Sequence, residues 1–136
     1  MATRRTLILP VMIIAVDFDG TIVRSNYPVI LGEQPYAGKT LRALHSQGHK
    51  IIIWTCRTGG RLLEAINWLL EHRIPFSRVN DHDPENVAKY GGEAGKKIYA
   101  HVYIDDKNIG GFPGWPACME MIREMEDEYN RSHAVP

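Results

Sequence analysis

Two acidic motifs contain the residues of this sequence whose types and spacing could do chemistry. Asp17 and Asp19 lie in the segment Asp-Phe-Asp-Gly-Thr, and Asp105 is followed directly by Asp106. Two carboxylates two residues apart at the end of a strand can take separate tasks, one facing the reacting atom and the other displaced toward a leaving group. The alternative interpretation of the first motif is an acidic turn, because Asp and Gly are common turn residues.

The four carboxylates also indicate a cation. Four acids in one crevice repel each other strongly and cannot all ionise unless a positive charge is present. Their hard oxygen atoms favour Mg²⁺, which proteins commonly bind through one or two carboxylates together with a substrate phosphate. Taken alone, Asp105-Asp106 is equally well explained as a turn that leads into Lys107-Asn108.

Polar residues at two other places could bind a phosphoryl group. Thr55 ends the run Lys-Ile-Ile-Ile-Trp-Thr before a predicted helix, and a hydroxyl with free backbone N–H groups at such a junction suits a phosphoryl oxygen. Lys97 stands eight residues before Asp105 and could neutralise a carboxylate nucleophile and the group that it receives. Lys96 and Lys89 are alternatives for this lysine.

Three further residues are candidates for substrate contact. Arg57 has a planar fork that suits phosphate or carboxylate. Arg24 lies in the long connection from Thr21 to Ala37, and Asn80 begins the long connection that runs to Lys97. Long loops in a compact domain are commonly lids or binding loops. We therefore expect both segments to contact the leaving group of a substrate.

Three short apolar runs predict the strands that position these residues. They cover residues 12–16, 50–55 and 101–104, and each ends at a polar cluster, as is typical of parallel strands buried on both faces. Helical patterns cover residues 39–47, closed by Gly48, residues 61–72, and a segment from about Pro116 onward. The apolar stripe predicted for the second of these helices consists of Leu62, Leu63, Ile66, Leu69 and Leu70.

The alternation of strands and helices predicts an α/β fold. We expect a three-layer, Rossmann-like parallel sheet with helices on both faces, and the 136 residues fit one domain, residues 1–136. In such a sheet the carboxyl ends of the strands form the ligand crevice. The acids of both motifs and Thr55 should therefore gather there although they are distant in sequence.

Composition narrows the classes of function. Sixteen basic and sixteen acidic residues give zero net charge, which provides neither a basic field for nucleic acid nor a polybasic anchor for a membrane. Two cysteines, Cys56 and Cys118, are too few for a disulfide scaffold, so we expect a reducing, cytoplasmic location. The apolar run from Leu7 to Val16 after two arginines resembles a signal peptide, but Pro10 interrupts it and no cleavage site is evident.

The motifs, in their order along the chain, resemble those of the haloacid dehalogenase superfamily of phosphohydrolases. The segment Asp17-Phe18-Asp19-Gly20-Thr21 resembles the first motif of that family, Thr55 the second, Lys97 the third and Asp105-Asp106 the fourth. The resemblance covers most of residues 12–112 and implies a Rossmann-like core, a Mg²⁺ cofactor and a covalent aspartyl-phosphate intermediate. Only the two long loops occupy the places where that family inserts cap domains, so the chain resembles a small, capless member.

The resulting hypothesis is a Mg²⁺-dependent phosphomonoester hydrolase that acts on a phosphorylated small metabolite. In this hypothesis Asp17 is the nucleophile, Asp19 is the general acid and base, and two residues, Thr55 and Lys97, bind phosphoryl oxygens. The metal ligands would be Asp17, the backbone carbonyl of Asp19, Asp105, and Asp106 either directly or through water.

Two rival hypotheses belong to other classes of protein. A phospho-acceptor signalling domain also places acids and a metal at strand ends, but its acceptor lies on a middle strand, which here ends at Thr55 without an acid. A binding protein for phosphorylated ligands would use the same crevice without turnover, and the complete acidic set argues against it. A capless crevice would be closed by its loops, by a partner molecule, or by a second subunit of a homo-oligomer.

Overall fold

The structure is a computed structural model that describes residues 10–133. The start of the apolar run with its two preceding arginines lies outside the described residues. In chain order the elements are β1 (Ile13–Val16), β2 (Val23–Asn26), β3 (Val29–Glu33), α1 (Ala37–Ser46), β4 (Lys50–Ile53), α2 (Gly59–Glu71), β5 (Arg78–Val79), α3 (Pro84–Lys89), β6 (Val102–Ile104) and α4 (Trp115–Ser132).

Four parallel strands form the main sheet, in the order β5-β4-β1-β6. The first predicted strand is central, because β1 pairs with β4 on one side and with β6 on the other. The register places Val16 beside both Ile53 and Ile104, so these three strands end level with one another. The predicted α/β fold with a parallel sheet is confirmed.

The two faces of the sheet carry alternate residues of the same strands. Ile14 and Val16 face the main core, where apolar residues of α1, α2 and α4 pack against them. Ile13 and Ala15 face the opposite way and pack with Ile52, Ile98 and Ala100. This alternation is the two-residue period of a strand, with both faces buried.

Helix α3 flanks this second face through one ion pair. Lys50 pairs in register with Ile13 and so lies on the same face. Its ammonium is 3.1 Å from a carboxylate oxygen of Asp83, the residue that caps α3 by accepting a hydrogen bond from the backbone N–H of Asn86. Helices therefore lie on both faces of the sheet, as predicted.

The predicted strand over residues 50–55 is shorter in the structure. β4 ends at Ile53, and the last bond to its neighbour runs from the backbone N–H of Trp54 to the carbonyl of Val16, at 2.8 Å. β1 also ends at this level, at Val16, and Thr55 lies in the segment between β4 and α2.

The two connections predicted as loops both contain secondary structure. The first holds the antiparallel hairpin of β2 and β3, and the second holds α3. Asp83 at the N-cap and Pro84 in the first turn are signals that favour a helix start. Between residues 10 and 133 the connections contain no larger insertion, which agrees with the absence of a cap domain.

One detail of the predicted helix over residues 61–72 is wrong. Ala65 and Leu69 are buried on the inner side of α2, whereas Leu63 and Leu70 are 57% and 62% exposed. Leu63 and Leu70 are each one position after Leu62 and Leu69, a rotation of about 100° around the helix, which turns them away from the core. Among the described helices, none is long and apolar enough to cross a membrane.

Candidate active site

Three carboxylates meet at the carboxyl ends of β1 and β6. The backbone N–H of Asp17 donates to the carbonyl of Ile104 at 2.9 Å, which places the first residue after β1 level with the first residues after β6. Asp17, Asp105 and Asp106 each bring one carboxylate oxygen to within 4.8 Å of the others. The parallel pairing of β1 and β6 therefore brings together acids that are about ninety residues apart in the chain.

Thr21 links the two acidic motifs. Its hydroxyl donates to a carboxylate oxygen of Asp17 at 3.2 Å and accepts the backbone N–H of Asp106 at 3.1 Å. The indole N–H of the buried Trp115 donates to the carbonyl of Thr21 at 2.9 Å, so the start of α4 fixes this bridge. The sequence interpretation did not assign Thr21 a role, although it lies inside the first motif.

Gly20 allows the second acid of the pair to approach the turn after β1. A Cβ atom at this position would overlap the carboxylate of Asp106, and the backbone has φ +80°. Both features favour glycine, because other residues rarely adopt this conformation. Glycine here keeps the turn thin enough for the acidic cluster to form.

The cluster raises the pKa of Asp17 to about 8, far above its ordinary value of 3.8. Burial is the largest cause, followed by the negative charge of Asp105 and by the neighbouring carboxyl of Asp106, while the Thr21 hydroxyl acts in the opposite direction. Three acids in this arrangement cannot all be ionised without a compensating cation. The donor set consists only of hard carboxylate oxygens, so the residues present fit Mg²⁺.

The side chain of Asp19 pairs with Arg57 and Ser25 and is not one of the three acids of this cluster. Its carboxylate receives the Arg57 Nε–H at 2.7 Å, the Arg57 Nη2–H at 2.7 Å and the Ser25 hydroxyl at 2.6 Å. Burial raises the pKa of this carboxyl, but the hydrogen bonds from Arg57 and Ser25 outweigh burial and leave the pKa below its ordinary value. The metal-binding role predicted for Asp19 concerned its backbone carbonyl, and it stays a prediction.

Arg57 does not fit the predicted role in substrate binding. The residue is 1% exposed, and besides Asp19 it donates to the carbonyl oxygens of Pro28 at 3.0 Å and Arg61 at 3.3 Å. A guanidinium that is buried and bonded in this way is not open to a phosphate in the crevice. The planar fork on which this prediction rested is paired with Asp19 instead.

Thr55 and Asn80 lock the turn after β4. The backbone N–H of Thr55 donates to Asn80 Oδ1 at 2.8 Å, and Asn80 Nδ2 donates to the carbonyl of Thr55 at 2.9 Å. The Thr55 hydroxyl oxygen accepts the backbone N–H of Arg57 at 3.1 Å. Asn80 is exposed and keeps a second amide N–H beyond these two bonds, and its predicted contact with substrate stays a prediction.

Lys97 lies next to the acidic cluster. With Asp105, Trp54 and Tyr103 it lines a cavity of about 240 Å³, and its ammonium is 5.0 Å from the centre of the Tyr103 ring. The hydroxyl of Tyr103 donates to the carbonyl of Ile98 at 2.6 Å, which holds the ring in place. Of the three candidate lysines, Lys97 is the one that lines a cavity with an acid of the cluster.

The remaining candidates lie on exposed elements. Lys89 is at the end of α3 with its ammonium 5.6 Å from the ring of Tyr90, and Lys96 is exposed. Arg24 is exposed on β2, on the same hairpin as Ser25. Ser25 was not identified from the sequence, and no pattern around it distinguishes it from an ordinary strand serine.

A comparison with solved structures finds a similar chain. No protein-family model and no curated protein matches the chain. A solved structure, described as that of a conserved protein from Bacteroides thetaiotaomicron, is 40% identical to this chain, with a TM-score of 0.76. The match covers 89% of this chain and 97% of the other.

Proposed function

The chain belongs to the same family as this conserved Bacteroides thetaiotaomicron protein, and from its acidic crevice we propose that it is a Mg²⁺-dependent phosphomonoester hydrolase of the haloacid dehalogenase superfamily. The observation that carries the proposal is the cluster of Asp17, Asp105 and Asp106, with oxygens within 4.8 Å of one another. The motif order along the chain supports the same assignment. The proposed substrate class is a phosphorylated small metabolite.

The first half of the reaction uses Asp17 as nucleophile. A carboxylate oxygen of Asp17 attacks phosphorus, the bond between phosphorus and the ester oxygen breaks, and that oxygen leaves with a proton from Asp19. Asp19 must carry this proton when the substrate binds, against the effect of Arg57 and Ser25, which lower its pKa. The hydroxyl of Thr21 holds the Asp17 carboxylate at 3.2 Å and so restricts its direction. Thr55 and Lys97 bind the phosphoryl oxygens during transfer.

The second half returns the enzyme to its starting state. Asp19, now ionised, takes a proton from water, the water oxygen attacks phosphorus, and the aspartyl-phosphate bond breaks to release inorganic phosphate and the Asp17 carboxylate. Asp17, Asp105 and Asp106 would hold Mg²⁺, which when bound supplies positive charge to the acids and to the phosphate.

Turnover of p-nitrophenyl phosphate with and without Mg²⁺ tests the proposal. We expect release of p-nitrophenol and phosphate over many turnovers with Mg²⁺, and loss of this activity when a chelator removes the metal, because the acids then repel the phosphate. A phospho-acceptor domain would instead take up one phosphate per chain and stop. A binding protein would release none, and either result would contradict the proposal.

Replacing Arg24 by Ala should change which phosphate esters the enzyme prefers. Arg24 is exposed on the hairpin, where it can contact a leaving group without touching the transferred phosphoryl group. KM should therefore change by about tenfold for some esters, which alters the substrate ranking. The burst of aspartyl-phosphate from an activated ester should stay the same. Steady-state kinetics over a panel of small phosphate esters measures this.

Two further variants are needed for comparison with Arg24→Ala. Arg123→Ala removes an exposed arginine on α4 and should leave the ranking unchanged. Asn80→Ala should lower kcat for all esters alike, because Asn80 holds the backbone of Thr55. An unchanged ranking in Arg24→Ala would mean that the hairpin does not select the substrate, and a partner molecule or second subunit should then be sought.

A further inference from the structure

Arg57 joins four parts of the chain around the proposed active site. Its guanidinium donates to Asp19 after β1, to the carbonyl of Pro28 between β2 and β3, and to the carbonyl of Arg61 in the first turn of α2. Its backbone N–H donates to the hydroxyl of Thr55. No single local element explains this set of partners, because each one belongs to a different segment.

Aromatic rings and burial hold the guanidinium in this place. Its central carbon is 5.3 Å from the ring centre of Phe18 and 5.1 Å from that of Tyr27, distances at which a cation is attracted to a ring. Phe18 is fully buried beside the first acidic motif, whereas Tyr27 belongs to the hairpin and is 62% exposed. Arg57 therefore contacts a fixed part of the core and the exposed hairpin at the same time.

The carboxylate of Asp19 depends on this arginine for its direction. One oxygen accepts from Arg57 Nη2 and from Ser25, and the other accepts from Arg57 Nε. A bidentate pair of this kind fixes the plane of the carboxylate as well as its distance. Without Arg57, only the Ser25 hydroxyl would restrain the side chain of Asp19.

We propose that Arg57 is a positioning residue that holds the Asp19 carboxylate and the β2–β3 hairpin together as one unit. The inference rests on the proposed function, in which Asp19 delivers the proton to the leaving oxygen. The hairpin contacts the Asp19–Arg57 pair at two places, because Ser25 donates to Asp19 and the carbonyl of Pro28 accepts from Arg57. The direction of the Asp19 carboxylate and the position of the hairpin therefore depend on the same guanidinium.

The test compares two phosphate esters that differ in their need for a proton. An alkyl phosphate has a poor leaving group and needs Asp19, whereas p-nitrophenyl phosphate has a good one and needs it little. Arg57→Ala should lower kcat for the alkyl ester by about a hundredfold and for p-nitrophenyl phosphate by less than about tenfold, with little change in KM. Arg57→Lys should restore part of the lost rate, since it returns one charged donor.

A double-mutant cycle separates positioning from a general structural defect. Adding Arg57→Ala to Asp19→Asn should lower the rate with the alkyl ester no further, because the group that Arg57 positions is already inactive. Ser25→Ala keeps the arginine and should also lower the rate more with the alkyl ester than with p-nitrophenyl phosphate, by a smaller factor. It replaces Arg57→Ala in the cycle if that variant fails to fold. Arg61→Ala removes a neighbouring arginine side chain that does not contact Asp19 and should leave both rates within about twofold.

The outcomes distinguish this inference from the proposed function. Equal losses with both esters, or losses that add to those of Asp19→Asn in the Arg57 and Ser25 variants, would overturn the positioning role while leaving the hydrolase assignment intact. Failure of the unmodified protein to hydrolyse either ester with Mg²⁺ would instead overturn the proposed function. The inference is supported if Arg57→Ala lowers the rate mainly with the alkyl ester and lowers it no further when Asp19→Asn is already present.

Discussion

Asp17→Asn is expected to abolish turnover, with a loss of at least about a thousandfold in kcat for every phosphate ester. The amide has the shape of the carboxylate but lacks the nucleophilic oxygen that forms the covalent intermediate. Asp17 is half-buried and bonded to Thr21, and the amide oxygen can accept the same hydrogen bond. The variant should therefore fold, which circular dichroism and thermal unfolding will show.

Trapping of the intermediate gives this prediction a second readout. Rapid quenching of the unmodified enzyme should recover phosphate bound to the chain, and peptide mapping should place it on Asp17; the Asp17→Asn variant should yield none. Asp127→Asn, on the exposed surface of α4, is a matched control that should keep full activity. Retention of more than a small fraction of activity in Asp17→Asn would refute its assignment as the nucleophile.

The free energy of unfolding of the metal-free protein is expected to fall as pH rises from about 4 to about 8. The unfolded chain releases the Asp17 proton at its ordinary pKa of 3.8, whereas the folded chain retains it up to a pKa of about 8. The stability from this group is therefore fully present below the unfolded value and is lost as pH rises through the folded value. The expected loss is on the order of a few kcal/mol, since a tenfold change in proton affinity equals about 1.4 kcal/mol.

Chemical unfolding in the presence of a chelator, at several pH values, measures this loss. The effect of Asp17 is best separated from that of other groups above pH 6.5. Burial lowers the pKa of His101, and a histidine with a lowered pKa makes stability rise with pH up to its ordinary pKa of 6.5. Asp17→Asn should remove the slope between about pH 7 and about pH 8 and should be more stable than the unmodified protein there.

Mg²⁺ should reverse the effect, because a ligand that binds only the folded chain stabilises it. The gain in stability should be largest near pH 8, where the metal replaces a proton that the cluster must otherwise keep. Asp105→Ala should raise the Mg²⁺ concentration needed for half of this gain, since one ligand is lost. A metal-free protein whose stability is the same at pH 7 and 8, and the same as that of Asp17→Asn, would contradict the high pKa of this carboxyl.

Three of the four strands of the main sheet could be predicted from the sequence because each is a short apolar run, whereas β5, with two residues and neither of them buried, was missed. The runs that became β1, β4 and β6 are continuous and apolar, and such runs have few alternatives in a chain of this size. The hairpin was missed for the opposite reason. β2 and β3 have only one buried residue between them, Val23, so burial provides no strong pattern, and α3 with six residues and none buried gives an equally weak signal.

The acidic cluster belongs to what the sequence determined by itself. β1 and β6 are parallel neighbours that end level with one another, so the acids that follow them lie at the same edge of the sheet. Within each motif the acids follow the strand directly, so strand order alone is enough to predict that they lie near one another. The two hydrogen bonds between Thr55 and Asn80 could not be predicted in this way. They depend on how the segment after β4 packs against the end of β5, and not on strand order.

The tertiary structure alone decided where Asp19 and Arg57 point. Both residues follow strands that end at the same edge, and from the sequence each was expected to face the crevice. The direction of a side chain depends on its rotamer and on the groups that compete for its hydrogen bonds. Here the hairpin supplies Ser25, Pro28 and Tyr27, for none of which the sequence predicted a contact with Asp19 or Arg57, and a buried charge is stable only beside such partners.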